Sequence, residues 1–366
     1  MGHPFSEGKF VLGIIFALWR MCSAKEISTN FVFGDSLVEV GNNNYIATLS
    51  KADHPPYGID FGKPTGRYTN GRTIIDIAGQ TLGLKEFTPP YLAPTTAGAV
   101  ILRGVNYASG GGGILNETGK LFIGRINLDA QIDNFANTRE DIISSIGRPA
   151  AVELLRRALF SVTIGSNDFL NNYLLPIITE FKRKLIPPET FVGILIARFR
   201  LQLTRLYNLG ARKMVVVGVG PLGCIPYQMD INFVADPDSC VELTNQLARS
   251  FNSKLQTLVT ELNTNLTGAK FVYANVYGIF HDIIENYKSY GFENANSACC
   301  GFGGRYGGLG SCGPQPSEVC EDRSKYVFWD AYHPSEACNM IIAGRLLYGN
   351  SSDISPMNIV QLLQSS

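Results

Sequence analysis

The sequence predicts an α/β protein of the flavodoxin-like kind, three layers (α/β/α) with about five parallel strands in the middle. Three observations lead there. Short runs rich in apolar and β-branched residues alternate with longer segments whose apolar residues recur at helical spacing. The short runs are apolar almost throughout, as strands covered on both faces must be. Several of them end in glycine or small polar residues, the mark of strand tips, where open α/β sheets keep their chemistry.

The first strand is expected over 30–34, ending in Gly34-Asp35-Ser36-Leu37. Turn formers crowd residues 55–71, which read as loop. A helix is expected from Thr73 to near Gly83. A second strand is expected over 100–107, running into Gly110-Gly111-Gly112-Gly113, with a helix over 128–146 after it. Residues 158–164 form the third strand, ending at Gly165-Ser166-Asn167-Asp168. Phe191, Leu195, Phe199, Leu203 and Leu206 mark a helix over 189–209, which Gly210 stops. A fourth strand over 214–219 precedes a helix over 241–262, with Leu243, Leu247, Phe251, Leu255, Leu258 and Leu262 on one face. A short fifth strand, 270–274, leads into a helix ending near Tyr290. A cysteine- and glycine-rich loop covers 297–320, and Pro334 is expected in the first turn of a last helix reaching Leu347.

The chain has 366 residues, and 45% are hydrophobic against 17% charged, enough for a sizeable core. Lys+Arg and Asp+Glu are equal at 31 each, so no basic field exists to attract nucleic acid. Residues 1–24 read as a secretory signal: Lys9, an apolar run from Phe10 to Trp19, then small residues at Ser23-Ala24. That run is about half the ~20 residues a membrane span needs, so no stable anchor is expected after its removal. Residues 25–366 are expected as a single secreted, extracellular domain. Sequons at Asn116, Asn265 and Asn350 agree with export.

Cysteine usage agrees as well. Beyond Cys22 the chain carries Cys224, Cys240, Cys299, Cys300, Cys312, Cys320 and Cys338, an odd number that leaves one unpaired or paired between chains. Cys224 and Cys240 are close enough in sequence to suggest a pair. Zinc is the competing reading, but no Cys-x-x-Cys pair occurs, and an oxidising compartment favours disulfides.

Three strand ends can converge if the strands pair in a doubly wound order: Ser36, the glycine run 110–113, and Asn167. A serine needs a base, and the mature chain offers only His54, His281 and His333. His333 follows Asp330 by three residues, in Phe328-Trp329-Asp330-Ala331-Tyr332-His333-Pro334. In a loop that spacing can return the carboxylate to the imidazole Nδ1, freeing Nε2 to take the serine proton. Each feature alone is an ordinary turn, cap or surface pair; only their co-occurrence points to acyl transfer. The surroundings of Ser36 lack the Gly-x-Ser-x-Gly elbow of the α/β-hydrolases.

Gly218-Val219-Gly220-Pro221-Leu222-Gly223 matches a dinucleotide-binding pattern after a strand, but that reading needs a helix to begin there. Pro221 and Pro226 argue against one, and no helix is expected before about Val241, so the segment reads as loop.

With these residues in hand, the sequence resembles the plant GDSL-type esterase/lipase family within the SGNH hydrolases. The resemblance rests on 31–37 with Gly41-Asn42-Asn43, on 104–111, on Ile164-Gly165-Ser166-Asn167-Asp168 and on 327–334, with further matches at 65–72 and 220–226. It implies an SGNH hydrolase fold, with Ser36 as nucleophile, His333 as base and Asp330 as its orienting partner. It also implies an oxyanion hole built from the Ser36 N–H, the Gly111 N–H and the Asn167 side-chain amide. Glu39 stands where the family usually has aspartate, outside the catalytic set. No metal or organic cofactor is implied. The expected substrate is a small-molecule, lipid or polysaccharide ester. An acyltransferase using the same acyl-enzyme, or a non-catalytic binding protein on this scaffold, are the alternatives; the latter would be expected to have lost one of Ser36, Asn167, Asp330 or His333. Pocket-shaping loops are expected at 45–72 and 171–184.

Overall fold

The computed structural model describes residues 27, 29–175, 185–232, 239–310, 312, 313 and 318–365. The expected signal, most of the 171–184 loop and parts of the cysteine-rich loop lie outside them.

Four parallel strands form the centre: β1 (Asn30–Gly34), β2 (Leu159–Thr163), β3 (Lys213–Val217) and β4 (Lys270–Ala274). They lie in that order, and a short fifth strand, β5 (Ile354–Ser355), runs antiparallel to β4 at the edge. The expected α/β layering is therefore present, with four parallel strands and one antiparallel. Every residue of β1, β2 and β3 is buried, which explains their unbroken apolar runs. The register sets Gly34, Thr163, Val217 and Ala274 level with one another, so the C-terminal tips form one rim.

Helices cover both faces. They are α1 (Ile74–Thr81), α2 (Leu128–Ile146), α3 (Arg148–Arg157), α4 (Pro188–Asn208), α5 (Glu242–Asn265), α6 (Val276–Glu285), α7 (Glu336–Tyr348) and α8 (Ile359–Gln364). The Thr73 hydroxyl caps α1 and the Asp76 carboxylate returns to the Thr73 N–H, a reciprocal capping box. On the α2 side, Phe31 and Phe33 of β1 pack against Phe135. Among the described residues no helix is long and apolar enough to cross a membrane.

Three expectations need correction. Residues 100–107 are not a strand: Gly98–Arg103 is a 3-10 helix, and only a single parallel bridge, Val32 to Asn106, joins the following stretch to β1. That stretch still runs beside β1, through Val32 N–H to Val105 O, Tyr107 N–H to Val32 O and Ser109 N–H to Gly34 O. Ladder pairing fails because Pro89 and Pro90 lie on its other side, and the Asn106 side chain bonds Val38 O. Pro334 precedes rather than enters α7; Ser335 is the cap, its hydroxyl accepting from Cys338 N–H. A short helix, Pro226–Ile231, does begin before Val241, with Pro226 at its start, where the missing N–H is harmless.

Because the 104–109 stretch lies on one side of β1 and β2 on the other, the chain reverses direction across the sheet at β1. In open α/β sheets that reversal opens a crevice above the strand tips. Ser36 sits there.

Candidate active site

The β1 tip is built to project Ser36. Gly34 is gripped by Gln131, which accepts from its N–H at 2.9 Å and donates to its carbonyl at 2.7 Å. A Cβ at Gly34 would sit 2.4 Å from Thr163 O, so the close approach to β2 requires glycine. Asp35 then turns the chain, its Oδ1 accepting from Leu37 N–H and its carbonyl from Val38 N–H.

Across the cleft, the His333 Nε2 lies 2.7 Å from Ser36 Oγ. Its Nδ1 is 2.8 and 2.9 Å from the two oxygens of Asp330. A carboxylate can only accept, so Nδ1 carries the proton and Nε2 is left as acceptor for the serine hydroxyl. The Asp330 carboxylate also accepts from the backbone N–H groups of Tyr332 and His333 and from the Tyr57 hydroxyl, each at 2.8 Å. Burial alone would raise the Asp330 carboxyl. Electrostatic attraction to the His333 ring and the hydrogen bond from it, with the Tyr332 N–H and Tyr57 hydroxyl, hold it below the usual range.

The loop carrying this pair is tied down on both sides. Trp329 N–H bonds His333 O, and Cys300 N–H bonds Trp329 O. Disulfides Cys299–Cys320 and Cys300–Cys312 pack with Tyr57, Tyr68 and Trp329 in one buried cluster beneath it. Cys224–Cys240 forms the third disulfide, and Cys338 is a buried free thiol whose pKa burial drives far up.

The glycine run is clamped rather than free. Asn42 Nδ2 donates to Asn106 O and Ala108 O, and Asn43 Nδ2 to Gly110 O and Ser50 O. Glu39, fully buried, accepts from Asn43 N–H at 2.5 Å and from Gly110 N–H. Gly112 N–H bonds Ser109 O and Gly113 N–H bonds Asn127 Oδ1. Gly111, with φ of 79°, is the one member of the run whose N–H bonds nothing among the described residues. Asn167 stands in a one-turn helix, Ser166–Asp168, after β2. Its Nδ2 gives one hydrogen to Gly112 O at 3.0 Å, leaving the other, and its Oδ1 accepts from Asn171 Nδ2 at 2.6 Å. Asp168 binds the glycine-run loop to this turn, accepting from Ile114 N–H, Leu115 N–H and the Thr118 hydroxyl. Burial pushes the carboxyls of Asp168, Asp35 and Glu39 up to about 6, 7 and 8, against the pull of their backbone donors.

Ser36, Gly111, Asn167, Asp330 and His333 thus border one cavity of about 290 Å³. Leu49, Ser50, Lys51, Tyr57 and Tyr68 of the expected 45–72 loop border it too. The 218–223 segment lines the cavity, and its Val219 and Gly223 N–H groups are taken by Asn252 and Asn245. A phosphate therefore finds no free donors at those two positions. Asn116, Asn265 and Asn350 are exposed. No group of three or more His, Cys, Asp or Glu that could hold a metal ion occurs among the described residues.

Tyr57 and Asn171 fall in the loops expected to shape the pocket and line the cavity. Their specific partners, Asp330 and Asn167, and the bond of Glu39 to Gly110 N–H, were not legible in the sequence.

A serine, a histidine and an aspartate thus lie in hydrogen-bonded series at the switch point of a mainly parallel α/β sheet. Residues 31–346 match the GDSL-like Lipase/Acylhydrolase family, and the chain belongs to it. It is similar to the GDSL esterase/lipase At4g16230 of Arabidopsis thaliana, 61% identical over 352 residues, 96% of this chain and 95% of that one. It is also similar to the Arabidopsis GDSL esterase/lipase At3g50400, 54% identical over 94% of each chain.

Proposed function

We propose that the protein is a secreted carboxylic ester hydrolase working through an acyl-enzyme on Ser36. The observation that carries this is the hydrogen-bonded series Ser36 Oγ–His333 Nε2 and His333 Nδ1–Asp330. His333 takes the Ser36 proton as the oxygen attacks the ester carbonyl, and Asp330 stabilises the imidazolium that results. The Ser36 N–H, the Gly111 N–H and the second Asn167 amide hydrogen receive the carbonyl oxygen as it gains charge. His333 then protonates the leaving alcohol, and water attacks the acyl group by the reverse path. The substrate is a small-molecule ester. Residues 1–24 act as the leader of a single domain, and the three disulfides suit an oxidising compartment. Hydrolysis of p-nitrophenyl butyrate by the purified protein, lost in Ser36→Ala, is the expected result; a Ser36→Ala protein that keeps the activity would place the nucleophile elsewhere.

A further inference from the structure

Ser109-Gly110-Gly111-Gly112 is a β-turn, closed by Gly112 N–H on Ser109 O at 3.0 Å. Gly111 holds its third place with φ of 79°, the mark of a type II turn. Types I and II share the closing bond and differ in the central peptide, which is rotated by roughly 180° between them. That peptide carries Gly110 C=O on one edge and Gly111 N–H on the other. It is planar and trans, so the two groups point in opposite directions. With glycine at both central places, no side chain of the turn selects its type. A type I turn of the same four residues would swing Gly111 N–H to the side that Gly110 O now faces.

The choice is made from behind the turn. Asn43 Nδ2 donates to Gly110 O at 3.0 Å and to Ser50 O at 2.9 Å. Asn43 Oδ1 accepts from the Ser109 hydroxyl at 2.5 Å, and that hydroxyl oxygen in turn accepts from Ile126 N–H at 2.9 Å. The Ser109 hydrogen is thereby committed to Asn43 Oδ1, which fixes the amide with its donor end on Gly110 O. Glu39 holds both partners by their backbones, one carboxylate oxygen accepting from Asn43 N–H and the other from Gly110 N–H. Asn43 and Glu39 are both buried, and neither borders the cavity at Ser36, whereas Gly111 does.

We infer that Asn43, held by Glu39, is a positioning residue for the oxyanion site. By gripping Gly110 O it keeps the 109–112 turn in type II, and so aims Gly111 N–H away from itself, into the cavity. The inference rests on the reading of Ser36 as an ester-hydrolase nucleophile with Gly111 among its oxyanion donors. Without the Asn43 amide the buried Gly110 O loses its donor, and the central peptide is free to rotate. The rotated turn offers an acceptor, Gly110 O, on the side where charge develops, in place of a donor. Both the loss of the donor and the presence of that oxygen oppose the transition state.

The test compares the wild type with Asn43→Ala and Glu39→Gln in hydrolysis of p-nitrophenyl butyrate and in binding of 1,1,1-trifluorobutan-2-one. Ser36 Oγ adds to the carbonyl carbon of that ketone, the serine proton passes to His333, and the former carbonyl oxygen keeps the charge, so its affinity reads the oxyanion site. Glu39→Gln keeps the size of the side chain but sets an amide NH2 against one of the two backbone donors. In each variant kcat should fall at least about tenfold, toward the about 10²–10³ that loss of a whole donor costs, with KM within about threefold. Ketone affinity should fall by the same factor as kcat/KM. A folded variant that keeps kcat, or that loses kcat while binding the ketone as the wild type does, overturns the inference. Melting curves show which variants fold. If neither does, the crystal structure of the wild-type ketone adduct decides: Gly110 O on Asn43 Nδ2 with Gly111 N–H on the oxyanion upholds the inference, and a type I turn overturns it. If the wild type cleaves no ester, the hydrolase reading fails instead, and the crystal structure of a folded variant decides the turn. Gly110 O rotated toward the cavity upholds Asn43 as the selector, and an unchanged positive φ at Gly111 overturns it.

Discussion

Replacing Asn167 with alanine should remove one of three donors from the developing oxyanion while leaving the serine, histidine and aspartate in place. The side chain is held in position to donate. One amide hydrogen is fixed on Gly112 O at 3.0 Å and its carbonyl is fixed by Asn171 at 2.6 Å. Loss of one preorganised donor, with the others kept, costs about 2.7–4 kcal/mol in the transition state, or about 10²–10³ in kcat. KM should change little, because the bond strengthens only as charge develops. Asn171→Ala is the calibrating variant. It removes an ordinary neutral side-chain bond, worth about 0.5–1.5 kcal/mol, so its cost should not exceed roughly tenfold. Steady-state hydrolysis of p-nitrophenyl butyrate, with melting curves for both variants, gives the comparison. If Asn167→Ala stays within tenfold of wild type, or loses no more than Asn171→Ala, the assignment of Asn167 as an oxyanion donor is refuted.

Tyr57→Phe deletes the hydroxyl bonded to Asp330, a bond to a charged group worth about 1.5–3 kcal/mol in full, part of which reaches the transition state. A fall of about tenfold in kcat at constant KM is expected, and none when Asp330 is already alanine; additive losses in that double mutant would show that Tyr57 acts elsewhere. Stability should also respond to pH in an unusual direction. The carboxyls of Asp168, Asp35 and Glu39 are raised by burial to about 6, 7 and 8, above their unfolded values near 4. A raised folded value gives stability that is complete below the unfolded pKa and is lost as pH rises through the folded one. The melting temperature should therefore fall between about pH 4 and 8, by about 2 °C for each 1.4 kcal/mol lost in a chain of this size. Asp35→Asn keeps an acceptor for Leu37 N–H, so it should flatten that slope. A melting temperature that rises across the window would contradict the burial argument.

Much of this site was legible because its parts are local. Gly34-Asp35-Ser36 ends an apolar run, and a strand tip is where a serine can be offered to a crevice. Asp330 and His333 are three residues apart, and the loop does close the carboxylate onto Nδ1. The glycine run was visible too, but which member stays free depends on Glu39, Ser109 and Asn127 taking the other N–H groups. The strand expected over 100–107 failed because Val100, Ile101 and Leu102 look like strand yet enter a 3-10 helix, and the neighbouring prolines leave only one bridge to β1. The 45–72 loop was expected at the pocket, but the bond from Tyr57 to Asp330 was not legible: it joins residues 273 positions apart, and no periodicity in the chain records such a contact.

The nucleophile can be identified covalently. The folded protein is treated with a fluorophosphonate and the adduct is mapped by peptide mass spectrometry. One adduct per chain is expected, on Ser36, its formation slowed at least about a hundredfold in His333→Ala. Failure of the folded protein to be labelled under conditions that label a known serine esterase, or an adduct on any other residue, would contradict the assignment of Ser36 as the attacking group.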